Sequence, residues 1–195
     1  MLDTPTVDAA AADRKDDIYR TLMLAFASDP MMRWTLPGAA AFTKAAPLFF
    51  DAYGGRAFAE GTALMANDGE AAALWLPPGV DPDGDGMAAA MGAHARAERL
   101  EQGMPIFEQM AAYHPKEPCW YLTVIGADPA HMGKGLGGAL LGHILETCDA
   151  RGEVAYLESS NPRNISLYER HGFEVMGRIQ AGTSPVMTPM IRMPR

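Results

Sequence analysis

The densest chemistry in this chain lies in six residues, Gly133-Lys134-Gly135-Leu136-Gly137-Gly138. Behind them runs an apolar stripe at helical spacing, Leu136, Leu140, Ile144 and Cys148, flanked by Leu141 and Leu145. Ahead of them lies a nearly continuous apolar run, Trp120 to Ile125. The pattern predicts a buried strand, a turn and a helix whose first turn is almost bare backbone. N–H groups at such a helix start have no Cβ in front of them and sit at the positive end of the helix dipole, so they bind phosphate. Lys134 adds a positive charge beside them. The expected ligand carries a pyrophosphate.

Two phosphate-binding patterns compete. Gly133, Gly135 and Gly138 fit the dinucleotide spacing G-x-G-x-x-G, with Glu158 about twenty residues on as a ribose-binding acid. That fold runs its strand almost directly into the first glycine, whereas seven residues separate Ile125 from Gly133. Only 37 residues follow Glu158, too few for the further β-α-β units the fold requires. The P-loop pattern fails because no serine or threonine follows the Gly-Lys pair.

The arrangement resembles the GNAT superfamily of N-acetyltransferases, whose acetyl-CoA signature is a strand, a proline-containing loop and Gln/Arg-x-x-Gly-x-Gly/Ala opening a helix. Here that signature is Met132-Gly133-Lys134-Gly135-Leu136-Gly137, with Met132 in place of Gln/Arg. The replacement removes one polar side chain and leaves the backbone donors, so weaker CoA binding is expected. The family's second half is matched by Asn161, Asn164, Leu167-Tyr168 and Gly172-Phe173. Within the family, the runs Leu74-Trp75-Leu76-Pro77-Pro78, Trp120-Tyr121-Leu122, Leu157-Glu158-x-Ser160 and Pro162-Arg163-Asn164 resemble the puromycin N-acetyltransferase branch. The likeness covers roughly residues 71 to 178, and puromycin is not carried over as the substrate.

The elements must position these residues. At 195 residues, 48% hydrophobic and 21% charged, the chain reads as one globular domain. A net charge of −8 argues against a nucleic-acid partner and is compatible with a cationic substrate. The start lacks the charge and apolar core of a signal peptide, no apolar stretch reaches membrane-spanning length, and a cytoplasmic location is expected. Cys119 and Cys148 lack metal-ligand spacing, so no metal is expected. Residues 3 to 8 suggest a weak strand. Ile18, Leu22, Ala25 and Phe26 predict a helix over 13 to 28, ended by Asp29-Pro30. A helix over 39 to 53, strands at 56 to 60, 62 to 67 and 71 to 76, and a hairpin turn at Asn67-Asp68-Gly69 follow.

Asp81, Asp83, Asp85 and Gly86 match the opening of a calcium loop, but Gly92 stands where a glutamate is required, so a helix-capping loop is expected. Residues 87 to 112 predict a helix broken near Gly103-Met104-Pro105. Strands are expected at 154 to 158, 173 to 179 and 185 to 192, with a helix started by Asn161-Pro162. The fold class is α/β (α+β): a single domain with a mixed, twisted sheet of six to seven strands and helices on both faces.

The resemblance implies a reaction in which an amine attacks a thioester. It implies that the fourth and fifth strands splay and that backbone near Ile125, Gly126 and Ala127 holds the pantetheine arm and polarises the acetyl carbonyl. The cofactor-binding set is then Ile125, Gly126, Ala127, Met132, Gly133, Lys134, Gly135, Leu136, Gly137, Gly138, Asn161, Asn164 and Tyr168. An amine with a pKa near ~10.4 needs a base at neutral pH. Glu158, at the end of the fifth strand, is the first candidate, although a surface or capping role suits it equally. His114 is the second; a lone histidine beside proline also suits a structural role. Tyr168, where related enzymes place a tyrosine against the CoA sulfur, is the candidate general acid, with core packing as its alternative. His131, His143 and His171 show no chemical partner in the sequence. Phe26, Trp34, Phe49, Phe50 and Tyr53 are candidate pocket walls or core. Three functions stay open: acetylation of a small-molecule amine, acetylation of protein N-termini or lysines, and a silent CoA-binding domain. A homodimer is compatible with the chain.

Overall fold

A computed structural model describes residues 4–195; residues 1–3, which hold the first residue of the expected opening strand and most of the start read for a leader, lie outside the described residues. The strands are β1 (Val7–Ala9), β2 (Ala63–Ala66), β3 (Ala71–Leu76), β4 (Trp120–Ala127), β5 (Ala155–Ser159), β6 (Glu174–Val175) and β7 (Thr188–Arg192). They form one seven-stranded sheet in the order β1-β2-β3-β4-β5-β7-β6. Every neighbouring pair is antiparallel except β4 and β5. The β2–β3 turn uses Asn67 (φ 46°) and Asp68 (φ 56°), two residue types that tolerate the left-handed region.

The helices are α1 (Lys15–Phe26), α2 (Pro30–Thr35), α3 (Ala39–Gly54), α4 (Ala57–Glu60), α5 (Gly84–Gly92), α6 (Ala97–Tyr113), α7 (Leu136–Arg151) and α8 (Ile165–Arg170). Side chains alternate along each strand and so feed two cores. Leu74, Tyr121 and Tyr156 pack with Ile18, Leu22 and Phe50 of α1 and α3. Their neighbours Trp75, Leu122 and Leu157 pack with Leu140 and Ile144 of α7 and Tyr168 of α8. Helices therefore cover both faces, and β3 is buried at all six positions. No helix among the described residues is long and apolar enough to cross a membrane.

Four local expectations are corrected. Asp29-Pro30 ends one helix and also starts the next: Asp29 caps α2, and Pro30 sits where a missing N–H costs nothing. Residues 57–60 form the short helix α4, closed by Gly61 at φ 69°, because Ala57, Ala59 and Glu60 favour a helical turn over an isolated strand. The break expected near Pro105 falls at 93–96 instead, between α5, which packs on α3, and α6, which packs on α2. Within α6, Gln109 Nε2 donates to the Pro105 carbonyl at 3.1 Å. The strand expected over 173–179 is regular only at Glu174–Val175, with one further bridge between Ile179 and Met187. Gly177, in the interrupted stretch, lies against the Tyr113 ring of α6, where a Cβ would not fit.

Candidate active site

The glycine cluster is where the sequence places it. Gly133 (φ 78°) and Gly135 (φ 81°) are left-handed, and Gly135 is the N-cap of α7. A Cβ at either position would meet nothing within 4 Å, so their glycine identity answers to backbone angle and open access, not to packing. The first intrahelical bond runs from Ala139 N–H to the Gly135 carbonyl at 3.0 Å. The N–H groups of Leu136, Gly137 and Gly138 thus precede the first helical acceptor and are free for a ligand. A pyrophosphate fits this open, positively polarised cradle. Gly137 and Gly138 also serve packing, since a Cβ would come within 3.3 Å of Leu167 and 3.4 Å of His171. Met132 is 70% exposed and contributes no polar group.

Lys134 does not stand alone. Its Nζ lies 2.9 Å from His131 Nδ1. The same Nδ1 lies 2.8 Å from Glu70 Oε1, and Lys134 Nζ is 3.9 Å from that oxygen. His131 therefore has partners in the fold, in contrast to the sequence expectation. Glu70 also accepts Asp128 N–H through its backbone carbonyl at 2.9 Å. The β2–β3 turn thus anchors the loop ahead of α7.

The gap between strands is present too. β4 and β5 pair only from Trp120↔Ala155 to Leu122↔Leu157. β4 continues to Ala127 while staying paired with β3, so on its other edge the backbone of Ile125, Gly126 and Ala127 has no strand partner. Gly126 is required by packing: a Cβ there would lie 2.5 Å from the Ala25 methyl of α1.

Glu158 follows the last β4–β5 pair directly. Tyr121 donates to its Oε2 at 2.6 Å, and Tyr53 of α3 lies 2.5 Å from the Tyr121 oxygen and 3.4 Å from Oε2. Oε1 is sealed from solvent and has no hydrogen-bond partner; the Tyr156 hydroxyl is in the same state. Burial raises the Glu158 carboxyl from 4.5 to about 7, with the tyrosine hydrogen bonds holding it down against that rise. A carboxylate tuned this way can take a proton near neutral pH. His114, just past α6, joins the same cluster: its ring lies 5.0 Å from Tyr121 and 5.0 Å from Tyr156, both edge-on. Its Nδ1 faces the Pro115 carbonyl at 3.1 Å. The two base candidates are therefore brought together.

Tyr168 is buried and packs against Phe173 at 6.1 Å. Burial, helped by the charge of Asp29, pushes its phenol above its ordinary value, so it stays protonated at neutral pH. Asp29 accepts from Met32 N–H at 2.9 Å and from Ser160 Oγ at 2.6 Å, tying the start of α2 to the end of β5. Asn161 caps the turn before α8, accepting from Arg163 N–H at 3.1 Å. Asn164 closes that turn by donating its N–H to the Asn161 carbonyl at 3.0 Å.

Of the aromatic wall candidates, Tyr53 reaches the site, and Phe49 stacks behind it at 5.3 Å. Phe50 is core, and Phe26 packs on it at 5.4 Å. Trp34 turns toward α6, with Arg99 over its ring at 4.8 Å. Sequence reasoning missed Tyr121, Tyr156, Asp29 and Ser160. The signal for Tyr156 was its spacing of two from Glu158, which puts both on one face of a strand.

Residues 93–173 match the Acetyltransferase (GNAT) family. An uncharacterized N-acetyltransferase of Schizosaccharomyces pombe is 30% identical over 125 residues, taking in 58% of this chain and 51% of the relative. The chain thus spans about half the length of that curated relative. A Corynebacterium glutamicum structure described as histone acetyltransferase HPA2 and related acetyltransferase aligns with a TM-score of 0.69 at 28% identity, covering 99% of this chain and 98% of the other. The Drosophila melanogaster polyamine N-acetyltransferase, which forms N-acetylagmatine, shares the fold with a TM-score of 0.68 at 14% identity, covering 97% and 100%. The glycine-opened helix, the interrupted β4–β5 pair and these matches agree: residues 93–173 are similar to the GNAT acetyltransferase family, and the chain shares its fold with solved acetyltransferases.

Proposed function

We propose that this chain transfers the acetyl group of acetyl-CoA to a primary amine of a small molecule, by direct attack with both substrates bound. One observation carries the reading: the strand pair opens at Leu122↔Leu157, and the next residue, Glu158, presents a buried carboxylate that titrates near neutrality. Bound along the opening, acetyl-CoA supplies an activated acyl thioester. The N–H groups of 136–138 hold its pyrophosphate, and the free edge of Ile125–Ala127 lies along the arm and polarises the acyl carbonyl.

Glu158 takes the proton of the amine. His114, edge-on to the same tyrosines, closes the cluster from the α6 side. Tyr168 donates its phenolic proton to the sulfur as negative charge develops there. Its raised pKa suits a group that must remain protonated until that moment. A small acceptor is favoured by α6, which packs on α2 and brings His114 onto the cluster.

The test is thiol release from acetyl-CoA against a panel of small amines, aminonucleosides and peptides. Release with small amines and none with peptides supports the reading. Peptide-dependent release alone moves the chain to protein acetylation, and tight CoA binding without turnover on any amine makes it a silent binding domain.

A further inference from the structure

We infer that Tyr121 and Tyr53 are positioning residues that occupy Oε2 of Glu158 and reserve Oε1 for the proton of the amine. The inference rests on the reading of Glu158 as the base and goes beyond it by naming the atom that acts and the groups that set it.

Geometry carries the argument. A carboxylate has two oxygens, and here they are treated unequally. Tyr121 donates to Oε2 at 2.6 Å, a short charge-assisted bond. Tyr53 donates in turn to the Tyr121 oxygen at 2.5 Å, so the two phenols form a chain that ends on Oε2. Oε1 receives nothing from the described residues and is shut off from solvent. A buried, unpartnered carboxylate oxygen is costly, and such a cost is retained where a ligand supplies the missing donor. An ammonium N–H is a donor of the right kind. The Tyr156 hydroxyl, also buried without a bonded partner, sits on the same strand face two residues away and is close enough to the carboxyl to help hold its pKa down.

The titratable surroundings are simple. α3 offers Tyr53, β4 offers Tyr121 and the preceding Cys119, β5 offers Tyr156, and the end of α6 offers His114. β7 presents Pro189 opposite Glu158 and adds no charge. No lysine or arginine among the described residues forms an ion pair with Glu158. Phenol donors are therefore the main groups that stabilise its ionised form. In the step, an N–H bond of the ammonium breaks and an O–H bond forms at Oε1. The freed nitrogen lone pair makes the C–N bond to the acyl carbon, the C–S electrons leave with sulfur, sulfur takes the Tyr168 proton, and the second proton shed by the acylated nitrogen restores the Tyr168 phenol.

The experiment is the pH dependence of kcat for Tyr121→Phe, Tyr53→Phe and Glu158→Gln, with the Glu158 carboxyl titrated in parallel by NMR of ¹³C-labelled glutamate. Deleting the Tyr121 donor should raise the acid-limb midpoint and the NMR midpoint together by about one pH unit, with the alkaline plateau nearly kept. Tyr53→Phe, acting through Tyr121, should move both in the same direction by less. A merely structural role would lower the melting temperature and the rate at every pH without moving either midpoint, and that result overturns the inference. If Tyr121→Phe does not fold, Tyr53→Phe decides alone: a shift supports the chain and an unmoved midpoint overturns it. The underlying reading fails separately, when Glu158→Gln keeps the wild-type acid limb.

Discussion

Glu70 and His131, 61 residues apart in sequence, meet at 2.8 Å between the β2–β3 turn and the loop that leads into α7. Through this contact the turn competes with the expected phosphate for the neighbouring cation, because Lys134 lies 3.9 Å from the same carboxylate oxygen. Both side chains are partly exposed, so the interaction is weak. Glu70→Gln should free Lys134 and tighten CoA binding about two- to fivefold, an effect worth roughly 0.5–1 kcal/mol. Calorimetry at low and high salt checks this; the gain should shrink as salt rises. Unchanged affinity at low salt would mean that Lys134 does not face the ligand.

Gly135 separates conformation from access. Its φ of 81° disfavours any side chain, but asparagine tolerates that region better than most, and nothing stands within 4 Å of a Cβ there. Gly135→Asn should fold and keep measurable CoA binding. Gly135→Glu should fold too, at a cost of about 1–2 kcal/mol, and lose CoA binding by steric and charge repulsion. NADH binding with no heat from CoA would return the site to a dinucleotide.

Glu158 should cost the protein stability in the pH range where it is useful. Its folded pKa, about 7, lies above the unfolded value of 4.5. Between those values the folded state holds a proton that the unfolded chain releases, so stability falls as pH rises through this window and stays lowered above pH 7. The expected magnitude is on the order of 3 kcal/mol. Glu158→Gln should therefore melt higher than the wild type at pH 8, with little difference at pH 4, while losing most of its turnover. Equal melting curves at pH 8 would place the carboxylate in a wetter setting than the tyrosine cluster provides.

Tyr168→Phe keeps the ring against Phe173 and removes only the hydroxyl. A general-acid role predicts a loss in kcat on the order of 10²-fold or more, with CoA affinity and melting temperature nearly unchanged. A variant that turns over normally but melts lower makes Tyr168 a packing residue.

The helix behind the glycines was legible because two independent signals agreed, the spacing of Leu136, Leu140, Ile144 and Cys148 and the bare N-terminal turn. Glu158 was legible as a strand-end acid, but its environment was not. Tyr53, His114 and Tyr121 come from three separate elements, and nothing local links a residue in α3 to one in β5. Sequence pattern reports periodicity within an element and says little of which faces meet. Asp29 shows a different limit. The pair Asp29-Pro30 signals equally a helix end and a helix start, and only the packing of α2 on α3 and α6 selects both.

The brevity of the β4–β5 pairing has a consequence for cooperativity. Three residue pairs join β1–β4 to β5–β7–β6 within the sheet. The first group is built largely from neighbours in sequence, while the second reaches the first across α7. The molecule is thus two plates on a narrow seam, and amides along the open edge of β4 should exchange with deuterium faster than those of β3, which is paired on both sides. A ligand lying in the opening would act as a splint across the seam. Its binding should slow exchange on both plates at once, including amides of β5 and β7 that it does not touch.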